Sequence, residues 1–166
     1  MKEIFERVSI RKFENRDVEP EKIEQILRAA MAAPSAGNQQ PWEFFVVRDK
    51  TVIEKLSECS IYAGCAKNAP VVIVPCVRTE GLRFPEIAEI DLSIATEHIL
   101  LEAVSQGLGA VWLAVRPMKD REEKVDEALG LSDGKLHAFA LVPLGYPAEQ
   151  RPQQDRFDPS RIHFIG

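Results

Sequence analysis

The chain has 166 residues, of which 45% are hydrophobic and 28% charged, a length and balance that suit one domain able to bury a core without staples. Its formal net charge of −5 argues against a dedicated nucleic-acid binder, which would usually show a basic face, and no apolar run is long enough to cross a bilayer. The opening Met1-Lys2-Glu3-Ile4-Phe5-Glu6 is charged and amphipathic rather than secretory, and three cysteines with no C-x-x-C pair read as free thiols in a reducing compartment, so a cytoplasmic protein is expected.

Residues 2–8 place Ile4, Phe5 and Val8 on one face of a short helix. Arg7, Ser9, Arg11 and Lys12 follow, three cations and a hydroxyl close together, either a solvated helix end or the makings of an anion site. Pro20 suits the first turn of a helix running to about Ala33, with Ile23, Ile26, Leu27, Ala30 and Met31 forming one apolar stripe. Phe44 to Val47 reads as a buried strand, Thr51 to Glu58 as a helix, and Val71 to Val74 as a second strand, covered on both faces because it is apolar throughout. Residues 78–90 are irregular and charged. Asp91 can cap a helix running to about Gln106 that is apolar almost all round and therefore buried in the core or at a subunit interface.

Gly107 ends that helix, and Ala110 to Val115 forms a third strand. The G-x-G at 107–109 follows a helix rather than a strand, so it is no dinucleotide fingerprint. Lys119 to Leu129 is a surface helix closed by Gly130, and Leu136 to Leu144 a fourth strand. The tail from Ala148 is rich in Pro, Gln and Arg, yet Phe157, Ile162, Phe164 and Ile165 suit an arm packed on a partner better than a solvated segment. His98, His137 and His163 have no metal-ligand spacing, and no metal is expected.

One stretch is chemically distinctive, Ala33-Pro34-Ser35-Ala36-Gly37-Asn38-Gln39-Gln40-Pro41-Trp42. Two prolines bound it as a loop, Gly37 and Asn38 tolerate left-handed backbone, and Ser35, Asn38 and Gln40 offer donors and acceptors. By residue type it suits a flat polar ligand, or is an ordinary polar connection.

Arg7-Val8-Ser9-Ile10-Arg11-Lys12-Phe13, the 33–42 loop and Gly107-Leu108-Gly109-Ala110-Val111-Trp112-Leu113, followed by Gly145-Tyr146-Pro147 and the arginine-bearing tail, resemble the nitroreductase family of FMN-dependent oxidoreductases in order and spacing. The resemblance implies an α/β (α+β) three-layer sandwich, a central mixed sheet flanked by helices, with residues 1–166 as a single FMN-binding domain that dimerises and carries a C-terminal arm. It implies an FMN site built from both subunits of a homodimer. One would supply Arg7, Val8 through its backbone, Ser9, Arg11, Trp112, Leu113, Ala114 and Arg156; the other would supply Pro34, Ser35, Ala36, Asn38 and Gln40. The family often has glycine where Ala114 or Val115 stands. In the tail, Arg156 matches the phosphate-binding position better than Arg161.

The implied activity is hydride transfer from NAD(P)H to flavin N5 and on to a small nitroaromatic or quinone acceptor in a ping-pong cycle, with no acid–base catalytic residue. A non-catalytic FMN-binding or redox-sensing protein is the alternative from another class. A dehalogenase or flavin-destructase type is a further one, although the 78–90 region is short for it.

Overall fold

In the computed structural model, which describes residues 2–166, apolar helix faces close on one sheet from both sides. The helices are α1 (Glu3–Glu6), α2 (Pro20–Met31), α3 (Lys50–Ser57), α4 (Ala88–Ser105) and α5 (Lys119–Leu129). The strands are β1 (Trp42–Val47), β2 (Val71–Arg78), β3 (Gly109–Ala110), β4 (Leu113–Ala114), β5 (Leu136–Ala138) and β6 (Ala140–Gly145). The sheet order is β1-β2-β6-β3, with β4 also on β6 and β5 also on β2.

Alternation along β2 divides the core as a period-two strand must. Val72, Val74 and Cys76 join Ile53 and Leu56 of α3 and Val125 of α5 on one face. Val71 and Ile73 join Ile23, Ile26 and Ala30 of α2 and Ile99, Leu100 and Ala103 of α4 on the other. A third cluster, around Trp42, Val77, Leu92, Ala95 and Phe139, closes the end of the sheet near the start of α4. These are the three layers expected.

The expected mixed sheet is corrected in one respect: among the described residues all five ladders are antiparallel, and the parallel pairing is the isolated bridge between Ser9 and Ala110. The connection through α3 returns the chain to the end where β1 finished, so Val47 faces Val72 and β2 runs back along β1.

Two predicted strands are split, each at a proline. Gly109 to Ala114 keeps one register against β6, but Val111 lies opposite Pro143 and donates its N–H there at 3.3 Å without receiving one back, because proline has none. The 136–145 segment carries one extra residue against β2: Cys76 faces Ala138 while Ile73 faces Val142. The bulge falls at Phe139, whose N–H donates to Pro75 O at 2.9 Å.

Helix ends follow local chemistry. Asp49 caps α3 by accepting from Val52 N–H at 3.0 Å. Gly107, at φ +72°, closes α4 with Leu108 N–H donating to Ala103 O and Gly107 N–H to Val104 O. Asp91 does not cap α4 as expected: a single turn at Pro85–Ile87 leads into the helix, which begins at Ala88, and Asp91 is turned elsewhere. No helix among the described residues is long and apolar enough to cross a membrane.

Candidate functional site

The N-terminal segment is laid against β3 and the end of β6. Ile10 N–H donates to Ala110 O at 3.0 Å, Glu14 N–H to Tyr146 O at 2.9 Å, and Ala148 N–H to Lys12 O at 2.9 Å. Gly109 permits this approach, since a Cβ there would lie 2.7 Å from the Ile10 side chain. The tail leaves the same spot, and Glu149 ties the two strands of chain by accepting from Arg11 N–H at 2.7 Å.

The result is a cleft of about 410 Å³ lined by Arg7, Val8, Ser9, Arg11, Arg151, Gln153, Gln154 and Arg156. Four arginines thus line one hollow in a chain of net charge −5. Glu97 lies 3.6 Å from Arg7 and Glu149 lies 3.7 Å from Arg151, while Arg11 makes no ion pair among the described residues. Hydrogen bonding from Arg11 N–H, and then the Arg151 charge, holds the Glu149 carboxyl below its ordinary range. Forked guanidiniums around a hydroxyl suit a phosphate dianion. Arg161 is not part of the lining; it pairs with Asp158 at 3.0 Å.

The 34–41 loop is the second cluster. Gly37 (φ +55°), Asn38 (φ +54°) and Gln40 (φ +46°) all stand in the left-handed region, so two non-glycine residues accept strain. Ser35 Oγ accepts from Gln40 N–H at 3.0 Å, and Arg78 Nη2 donates to Gln39 O and Gln40 O at 3.0 and 2.7 Å. Asp91 Oδ1 accepts from Ala36 N–H at 3.0 Å and Oδ2 from Gln39 Nε2 at 2.7 Å. The exposed amides of Asn38 and Gln40 bond to each other at 3.1 Å. Pro34 is exposed beside them.

Trp112 and Leu113 belong to the core between these clusters. Trp112 packs edge-on against Phe139 at 5.6 Å, Leu113 is buried, and Ala114 is exposed with its carbonyl accepting from Arg121 Nη1 at 3.0 Å.

The two clusters do not meet within one protomer. Trp42, at the end of the loop and on edge strand β1, pairs with Val77 of β2, whereas Ala110, on the other edge strand β3, pairs with Leu144 of β6, itself opposite Val71 of β2. Three strand spacings across and six residues along separate these corners, roughly 14 Å by 20 Å. Arg7, Val8, Ser9, Arg11 and Arg156 are brought together; Pro34, Ser35, Ala36, Asn38 and Gln40 form a separate group.

Glu149, Arg151, Gln39, Arg78 and Asp91 were missed by sequence reasoning. The signal for Gln39 was its place inside the distinctive loop; Asp91 was hidden by its resemblance to a helix cap. Elsewhere, Glu122, Asp126 and His137 lie together, but Arg116 and Lys119 pair with Glu122 at 2.8 and 2.6 Å, and Asp126 accepts from Ala138 N–H at 2.7 Å. That group staples α5 to β5.

An antiparallel sheet between helical layers, with an arginine cleft at one corner and a strained amide loop at the opposite one, defines a class of α/β protein whose polar site is divided between two surfaces. Residues 4–63 and 59–146 match the model of the Nitroreductase family, and the chain belongs to that family. It is 44% identical over 157 residues to a Methanothermobacter thermautotrophicus protein provisionally named NADH dehydrogenase/NAD(P)H nitroreductase, covering 95% of this chain and 82% of that one. Among solved structures it resembles an FMN-dependent nitroreductase from Clostridium difficile R20291, with a TM-score of 0.91 and 32% identity over 100% of this chain and 99% of that chain. A provisionally assigned nitroreductase from Desulfovibrio desulfuricans, solved in complex with FMN, gives a TM-score of 0.85 and 28% identity over 99% and 95% of the two chains.

Proposed function

We propose that the protein is an FMN-dependent NAD(P)H oxidoreductase that reduces small nitroaromatic or quinone acceptors, working as a homodimer in the cytoplasm. The observation that carries this reading is the arginine cleft beside Ser9, in a member of the nitroreductase family. Its donor set fits the FMN phosphate, and the strained loop's amides fit a flat heterocycle that needs directed hydrogen bonds.

On this reading Arg7, Ser9, Arg11 and Arg156 of one protomer hold the phosphate and ring edge, beside the Val8 backbone and the Trp112–Leu113–Ala114 segment. Pro34, Ser35, Ala36, Asn38 and Gln40 of the partner complete the site. The geometry supports this division, because the two clusters stand at opposite corners of the sheet in one protomer. Exposed apolar residues support the dimer: Ile90 on α4, and Phe157, Phe164 and Ile165 on the tail.

When bound, FMN would supply the hydride chemistry between NAD(P)H and the acceptor in ping-pong order. The chain's own part is to bind, orient and lower the cost of negative charge through its guanidiniums, so no side chain is required as acid or base. The test is consumption of NADH or NADPH with nitroaromatic and quinone acceptors, expected to depend on added FMN. A flavin-loaded dimer inert to every such acceptor would overturn the enzymatic reading and favour a redox sensor.

A further inference from the structure

Three residues of the 34–41 loop are left-handed; Ser35 and Arg78 hold the Gln40 backbone, and two further side chains, Asp91 and Gln39, tie the loop to α4 and to Phe84. Asp91 is 2% exposed and sits in the first turn of α4, yet both of its oxygens are directed at the loop, to Ala36 N–H and Gln39 Nε2. The Gln39 amide is fully used: Nε2 donates to Asp91 Oδ2 at 2.7 Å and to Phe84 O at 3.0 Å, and Oε1 accepts from Phe84 N–H at 2.9 Å. The Phe84 ring lies on the loop so closely that a Cβ on Gly37 would come within 2.8 Å of it.

We infer that Asp91 and Gln39 are a positioning pair that locks the loop in its ligand-binding form and fastens the Phe84 segment to it as a fixed wall. This rests on the cofactor reading above and adds the residues that preorganise half of the site without touching the cofactor. Burial strengthens the carboxylate–amide bond and makes an unmatched partner costly. With the backbone anchored, the Asn38 and Gln40 amides remain exposed and held against each other.

The experiment is a reciprocal exchange in the full chain: Asp91→Asn, Gln39→Glu, and the two combined, with FMN dissociation constants from flavin fluorescence and Tm from circular dichroism. Asp91→Asn sets amide against amide and Gln39→Glu sets carboxylate against carboxylate, and each is expected to weaken FMN binding by about tenfold or more. In the double variant the amide now at position 91 donates to the carboxylate now at position 39, while its oxygen still accepts from Ala36 N–H; the donation to Phe84 O stays lost, so affinity returns in part, above that of either single variant. A merely structural pair would lower Tm and leave FMN affinity alone, and that result would overturn the inference, as would a double variant no better than its worse parent. If Asp91→Asn does not fold, Gln39→Ala keeps the Asp91–Ala36 bond and is expected to lose FMN affinity; wild-type affinity there would refute the pairing. Failure of the wild-type protein to bind FMN would instead sink the cofactor reading.

Discussion

Mixing two impaired variants should restore activity at limiting FMN if the site is divided between protomers. Arg11→Ala removes a guanidinium from the cleft and Asn38→Ala removes an amide from the loop, at corners of the sheet roughly 14 Å by 20 Å apart. Losing the charge-assisted hydrogen bond of Arg11 costs about 1.5–3 kcal/mol, roughly a tenfold to hundredfold weakening of FMN binding, and losing the neutral amide bond of Asn38 costs about 0.5–1.5 kcal/mol, roughly twofold to tenfold. Each homodimer then carries two damaged sites. After subunit exchange about half of the dimers are mixed, and each of those holds one intact site and one doubly damaged site, so activity at limiting FMN should recover to about a quarter of wild type. The assay is NAD(P)H consumption before and after co-incubation of the two purified variants, with exchange followed by native mass spectrometry. Mixed dimers no more active than the parents would place both groups in the same protomer's site and refute the division.

Three further outcomes follow from the geometry. Glu149→Gln weakens the tie between Arg11 and the tail and should lower Tm at neutral pH. Because the Glu149 carboxyl titrates below its ordinary value in the folded protein, its contribution is complete above about pH 4.5 and is lost as pH falls through the depressed value, so the Tm gap between wild type and variant should close on acidification. Gly109→Ala forces a Cβ to 2.7 Å from Ile10 and should cost about 1–3 kcal/mol, seen as a lower Tm with loosened FMN binding, since the same contact seats Ser9 and Arg11. Burial raises all three thiols; a thiol reagent on the native protein should label half-buried Cys65 first, and labelling of buried Cys76 first would contradict the packing.

Where a residue type dictates local backbone, the sequence was legible. Pro20 opens α2, Gly130 closes α5, and the alternation-free Val71–Val74 run is buried on both faces. The strand breaks were not legible from hydrophobicity, which runs unbroken through Phe139 and Val111; they arise because Pro75 and Pro143 withhold donors from neighbours known only after pairing. The cleft residues Arg7, Ser9, Arg11 and Arg156 were visible through their resemblance to a family, whereas Arg151 looked like any tail cation until Glu149 brought the tail back to Arg11. Asp91 has the composition of a helix cap and a different use, because the Pro85–Ile87 turn starts the helical path early and leaves the carboxylate inside the fold.

Whether the protein holds a flavin is decided by its visible absorption spectrum, recorded before and after addition of FMN and desalting. Twin flavin bands that survive desalting at about one FMN per protomer are expected. A folded, dimeric protein that emerges colourless would mean that the chain shares the family's scaffold and not its cofactor.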